Sequence, residues 1–170
     1  MNLVVAVDNE WGIGYKGDLL ARVRGDLLNF AKLTTGKTVV LGSNTLATFP
    51  GGRVLKNRTN IVLHPDKDYA PAGAIVVHSL GELFDELKKY NTEDVFIIGG
   101  ASVYRQLLPY CDTAFVTKFV KTYEKDASIP DLDKEPLWRL EWQSEMFESC
   151  GETDTEADLK YYFTKYVKIN

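Results

Sequence analysis

Val95-Phe96-Ile97-Ile98-Gly99-Gly100-Ala101-Ser102-Val103-Tyr104 is the stretch that decides how this chain is read. Four apolar residues run without alternation into paired glycines, and Ala101–Leu108 then has helical periodicity. An apolar run of this kind suits a strand covered on both faces, as in the middle of a parallel sheet. The same grammar recurs on either side. Strands are expected at Leu3–Val7, Thr38–Leu41, Asn60–Leu63, Ala74–Val77 and Ala114–Phe119, with helical segments at Ser43–Phe49 and Leu80–Tyr90. Such alternation means βαβ units. Leu159–Ile169 is aromatic and β-branched with no helix cap, so an antiparallel terminal strand is expected, paired with the one containing Glu141 to Phe147. The expected fold class is α/β: one domain over residues 1–170, a mostly parallel central sheet with an antiparallel C-terminal strand, and helices on both faces.

Composition narrows the function classes. The chain has 170 residues, 45% of them hydrophobic. A domain of that length hides roughly 70% of the surface its unfolded form exposes. Leu3–Val7 is too short to span a membrane and lacks the basic flank of a signal peptide, so a cytoplasmic protein with no membrane partner is expected. Cys111 and Cys150 fit no metal-ligand spacing and read as reduced thiols, and no metal is expected. Net charge is -4 and acidic and basic residues are mixed. Without a basic stripe, binding to nucleic acid through its phosphates is not expected. The acidic stretch Glu145–Asp158 reads as a solvated loop and strand edge.

Ligands of open α/β sheets collect beyond the carboxyl ends of the strands. Here those ends read Leu41-Gly42-Ser43-Asn44-Thr45, Leu63-His64-Pro65, Val77-His78-Ser79 and Ile98-Gly99-Gly100-Ala101-Ser102. Glycines let a backbone approach a ligand, and free amides at a helix start attract phosphate. Two such turns suit the two phosphates of a dinucleotide, although each alone is more often an ordinary strand-to-helix turn, and there is no G-x-G-x-x-G. A separate oddity lies in Val23–Leu33. Val23, Leu27, Phe30 and Leu33 share a helical face, and Asp26 falls on it. A carboxylate on an apolar stripe needs a partner or a task, unless it is only a first-turn acid favoured by the helix dipole.

In order and spacing these segments resemble the dihydrofolate reductase family, from Leu3 to about Pro130 and again in the last strand. Val4-Val5-Ala6 with Gly12-Ile13-Gly14 is similar to its first strand and active-site loop. Gly25-Asp26-Leu27 with Phe30 is similar to its catalytic-acid helix, and Gly42-Ser43-Asn44-Thr45 to its G-[RK]-x-T. Phe49-Pro50 and Leu55–Leu63 follow the next segment, with Arg58 as the tail-binding arginine. Ile97–Tyr104 matches I-G-G-x-x-[IV]-[YF]. The resemblance implies NADPH-dependent reduction of dihydrofolate to tetrahydrofolate, with hydride to C6 and a proton to N5. It implies one domain of this family, a monomer, and diaminopyrimidine and pteridine antifolates as inhibitors.

By the same resemblance Asp26 is the catalytic residue, holding the pterin's 2-amino and N3 positions with Thr117 bridging to it. Burial would raise its pKa toward the working range; direct proton donation and mere polarisation of the ring both stay open. Val4, Val5, Leu19, Leu27, Phe30, Phe49, Leu55 and Ile98 would enclose the substrate, and Arg58 would clamp its glutamate carboxylate. The cofactor would meet Ala6, Ile13, Gly14, Gly42, Ser43, Asn44, Thr45, Leu63, His64, His78, Ile98, Gly99, Gly100, Ala101, Ser102, Val103 and Tyr104. In this family a cis peptide usually joins the two glycines that stand here at 99 and 100.

The chain also departs from the family. Leu19-Leu20-Ala21 replaces L-P-W, Arg24 stands where a proline often opens the helix, and Ser43 and Ser102 supply no charge for a 2′-phosphate. His64 and His78, the only histidines, are the candidates to supply it. Two rival readings are a riboflavin-pathway-type reductase on the same fold and a non-catalytic nucleotide-binding regulator.

Overall fold

The structure, a computed structural model, describes all 170 residues. In chain order the first elements are β1 (Asn2–Val7), β2 (Gly12–Tyr15), β3 (Asp18–Leu19), α1 (Arg24–Thr34), β4 (Thr38–Gly42) and α2 (Ser43–Ala47). Then come β5 (Thr59–Leu63), β6 (Ile75–Val77), α3 (Leu80–Leu87), β7 (Val95–Gly99) and α4 (Ala101–Leu107). The last are β8 (Thr113–Phe119), β9 (Ala127–Ser128), β10 (Trp138–Gln143), β11 (Phe147–Glu148) and β12 (Lys160–Lys168). This is the expected mixed α/β fold, a mostly parallel sheet with an antiparallel C-terminal strand. The chain divides into two compact units. The first is Met1–Leu3 with Thr34–Tyr110, and the second is Val4–Leu33 with Cys111–Asn170. The division falls inside β1.

In the first unit the strands run β1-β7-β4-β5-β6, and every pair is parallel. Val39, Val40 and Leu41 in β4 and Ile61 and Val62 in β5 are wholly buried, which is why these runs show no alternation. The helices end earlier than their periodicity suggests. Helix α2 stops at Ala47, not Phe49, because Pro50 disfavours helical geometry at Phe49, whose ψ is 153°. Helix α3 stops at Leu87, and the amides of Lys89 and Tyr90 turn back to Glu86 and Leu87 in a tighter turn. Its start is capped by Ser79, which accepts from the Glu82 amide, while the Glu82 carboxylate accepts from the His78 amide.

In the second unit the order is β10-β12-β8-β1, with β11 also on β12. Strands β8 and β12 are antiparallel over seven residue pairs, Thr117 opposite Phe163 among them. The single partner strand expected to contain Glu141 to Phe147 is two strands, β10 ending at Gln143 and β11 beginning at Phe147. Ser144 separates them: its hydroxyl accepts from the Phe163 amide and its own amide donates to Phe163. A small sheet, β3-β2-β9, was not foreseen. Asp8 organises its approach by accepting the amides of Glu10, Gly12 and Tyr123. Both cysteines are free, Cys111 buried and Cys150 exposed. No helix is long and apolar enough to cross a membrane.

Candidate active site

Helix α1 begins under constraint. Its first helical bond runs from the Leu27 amide to the Val23 carbonyl. Gly25 lies so close to Tyr161 that a Cβ would sit 2.2 Å from the phenol oxygen, so any larger residue requires the buried Tyr161 ring to shift. The Arg24 amide donates to Asp154 at 2.6 Å. One residue past Gly25, the Asp26 carboxylate accepts from the Thr117 hydroxyl at 2.6 Å. Asp26 as a residue is only half-buried, but its carboxyl end is closely surrounded by protein. Desolvation raises its pKa to about 6, and the Thr117 hydrogen bond opposes the rise.

The apolar face expected around Asp26 is less buried than its pattern suggests. Val23 is core, joining Ala21, Phe119, Leu159 and Tyr161, but Phe30 and Leu33 are half-buried and Leu27 is 45% exposed. Phe30 and Leu33 instead line a cavity of about 160 Å³. Val4, Asp26 and Thr117 also line it. Asn29, Phe115, Trp142 and Phe163 border it too and were not singled out from sequence. Three of these four lie far along the chain and reach the cavity through β8, β10 and β12. Of the other residues in this unit expected at the substrate, Val5 is buried and Leu19 is exposed. Ala6 packs on the Val23–Tyr161 cluster, while Ile13 and Gly14 lie in β2, where Gly14 pairs with Leu19 and Ala127.

The first unit gathers another set. Gly99 has φ +134°, and a Cβ there would fall 2.9 Å from the Thr45 hydroxyl. Gly100 and Gly42 approach Thr45 and Val103 almost as tightly, so the two strand-to-helix turns touch. The Gly99–Gly100 peptide is cis. Ile98, Val103 and Tyr104 are buried, so their side chains support the turn from inside. Ser43, Asn44 and Ala101 stand at the helix starts, and the Ser102 hydroxyl accepts from Gln106. Leu63 pairs with Val77 at the ends of β5 and β6. Just beyond, the His78 Nδ1–H donates to the His64 carbonyl at 2.9 Å, and His64 stacks on Tyr69. The His64 Nδ1 accepts from the Asp66 amide. Phe49 and Leu55 are half-buried. The Arg58 guanidinium reaches the Thr34 hydroxyl and the Lys56 carbonyl, and burial lowers its pKa.

A family model described as dihydrofolate reductase matches residues 1–168. The chain belongs to that family. It is 33% identical to the dihydrofolate reductase of Bacillus subtilis (strain 168) over 170 residues, covering 100% of this chain and 95% of that one. Against the Bos taurus dihydrofolate reductase, identity is 34%, covering 100% and 98%. A solved structure of the Enterococcus faecalis dihydrofolate reductase, complexed with NADP(H) and RAB-propyl, aligns with a TM-score of 0.82. Identity there is 30%, over 99% of this chain and 96% of that one. Of the four cavity residues not singled out from sequence, Asn29 had a signal: it stands three positions from Asp26, on the neighbouring turn of the same helix.

Proposed function

We infer that this chain reduces 7,8-dihydrofolate to 5,6,7,8-tetrahydrofolate, consuming one NADPH and one proton. The observation that carries the reading is Asp26: a carboxyl shifted to about 6, bonded to Thr117, at the edge of a cavity in a member of this family. Asp26 Oδ1 accepts from Thr117, so a proton it carries sits on Oδ2. In its charged form the carboxylate accepts from the 2-amino and N3 side of a pterin and fixes the ring. In its neutral form it holds a proton for delivery toward N5 near physiological pH, where a group of ordinary acidity would be bare. Phe30 offers an apolar wall beside it.

NADPH, when bound, supplies the hydride for C6. The residues of the first unit fit such a cofactor: two touching turns rich in glycine and hydroxyls, and paired histidines at the ends of β5 and β6. Thr45, Ser43 and Ser102 are donors for phosphate, and the Nε2 atoms of His64 and, once its ring is protonated, His78 are further donors where the basic side chain is absent. Arg58 clamps the substrate's carboxylate tail. We further assign the protein to the cytoplasm, as a monomer open to inhibition by diaminopyrimidine and pteridine antifolates.

The test is loss of NADPH absorbance with and without dihydrofolate. Oxidation dependent on dihydrofolate supports the reading, and binding of both ligands without turnover overturns it. For the tail clamp, Arg58→Leu should weaken dihydrofolate binding by about 1.5–3 kcal/mol, the scale of hydrogen bonds to charged groups. A pterin lacking the glutamate should bind unchanged; equal losses for both would make Arg58 a scaffold residue.

A further inference from the structure

The acidic stretch that reads as solvated loop is firmly attached at the start of α1. Asp154 Oδ1 accepts the Arg24 amide at 2.6 Å, and its Oδ2 accepts the Cys150 amide at 2.8 Å. Next to it, Thr155 exchanges main-chain and hydroxyl hydrogen bonds with Arg22. The loop is braced from within: the Ser149 hydroxyl accepts from the Leu159 amide and donates to the Glu156 carbonyl. Glu156 in turn takes the Lys121 ammonium at 2.7 Å and the Tyr123 hydroxyl. A loop held at so many points presents a fixed carboxylate to the helix.

That carboxylate meets a weak turn. The first amides of a helix have no partner within it, and a proline at the first position avoids the problem by having no N–H. Arg24 has one. Glycine follows at 25, close against Tyr161, and glycine holds helical geometry less well than any other residue except proline. Asp26 comes next, in the same turn. If that turn frays, Asp26 leaves Thr117.

We propose that Asp154 is a positioning residue for the reductase reaction: from the loop it caps the Arg24 amide and so keeps Asp26 against Thr117. The proposal rests on the catalytic reading of Asp26 above. Its negative charge also lies toward the positive end of the helix dipole, which favours it there.

The test is a cycle of Asp154→Ala in the parent and in an Arg24→Pro background. In the parent, Asp154→Ala should lower kcat with dihydrofolate by about fivefold to tenfold, the scale of a lost cap. The dissociation constant for NADPH should not change. Hydrogen exchange at the Leu27 amide, the first bond of α1, should speed up by about the same factor. Asp154→Asn, which keeps an acceptor oxygen, should retain most of both. With Arg24→Pro there is no N–H to cap, so Asp154→Ala should then change kcat and Leu27 exchange by less than about twofold. Unchanged kcat and unchanged exchange in Asp154→Ala would overturn the proposal, as would a loss that Arg24→Pro does not relieve. Should Asp154→Ala fail to fold in the parent, the two Arg24→Pro proteins decide the matter by their equality or difference. Asp26→Asn serves as the control. If it stays nearly as active as the parent, the catalytic reading of Asp26 fails, while Leu27 exchange still decides the cap.

Discussion

Two carboxylates in the second unit, Asp8 and Asp26, are both packed in protein and behave in opposite ways. Burial by itself would raise either pKa. At Asp8 that push is outweighed by the amides of Tyr123, Gly12 and Glu10 and by the Lys125 ammonium at 3.0 Å, and its pKa falls below the ordinary value. At Asp26 a single hydroxyl, that of Thr117, opposes desolvation, and the pKa climbs to about 6. The number and charge of the donors decide the sign. Asp8 stays ionised at neutral pH and ties the chain together; Asp26 is left able to change state there. Asp26 is under-satisfied by its own protein, and that deficit is what a ligand can fill.

The sharpest way to break the comparison is Asp26→Asn. It keeps shape and removes the acid, so turnover of dihydrofolate near neutral pH should drop by about a hundredfold or more, the scale of a lost proton-transfer group. Affinity for NADPH should hold. A variant within about threefold of the parent would end the catalytic assignment.

The same variant should be more stable than the parent above pH 6. Below the ordinary pKa of 3.8 the parent's carboxyl is protonated whether folded or unfolded, and no penalty exists. Between 3.8 and about 6 the unfolded chain ionises first, so stability falls as pH rises, and above 6 the deficit is constant. At ~1.4 kcal/mol per unit the deficit is at most about 3 kcal/mol, and the substitution removes it. Urea titrations at several pH values read this directly. A parent more stable than the variant at pH 8 would contradict it.

Asp8→Asn should act with the opposite sign. Replacing an acceptor of three amides beside Lys125 with a neutral amide should destabilise the protein by about 2 kcal/mol at neutral pH. The Asp8 contribution is complete above the ordinary carboxylate range and fades as pH falls through its depressed value, so the two proteins converge in acid. Equal stability at pH 7 would show that the charge at Asp8 is dispensable. The smallest expected effect is that of Thr117→Val. Losing the one donor should move the pH profile of turnover upward, by less than about one unit. A downward move would mean that Thr117 does not stabilise the charged form.

The parallel part of the fold was legible residue by residue. Strands β4, β5 and β7 begin or end within one residue of their expected bounds, because a strand covered on both faces writes an unbroken apolar run. The sheet of β2, β3 and β9 was not legible. Gly12–Tyr15, Asp18–Leu19 and Ala127–Ser128 are too short and too poor in β-branched residues to show a period, and Asp8 assembles them through amides that every residue type carries. The attachments of the acidic loop were not legible for a similar reason: composition marks Asp154 and Glu156 as charges but does not show which amide or cation they meet.

By itself the sequence determined the alternation of strands and helices, the glycine turns after β4 and β7, and the family, since each depends on residue type at short range. It also marked Asp26 as out of place, because helical periodicity sets a carboxylate beside Val23 and Phe30. Only the tertiary structure decided what that carboxylate is. The Asp26 pKa depends on the density of protein around it and on Thr117, which lies 91 positions away. The helix that carries it is capped from 130 positions away by Asp154. Desolvation and hydrogen bonding act through space over a few ångströms, and nothing along the chain encodes those distances until β8, β12 and the loop before it are packed.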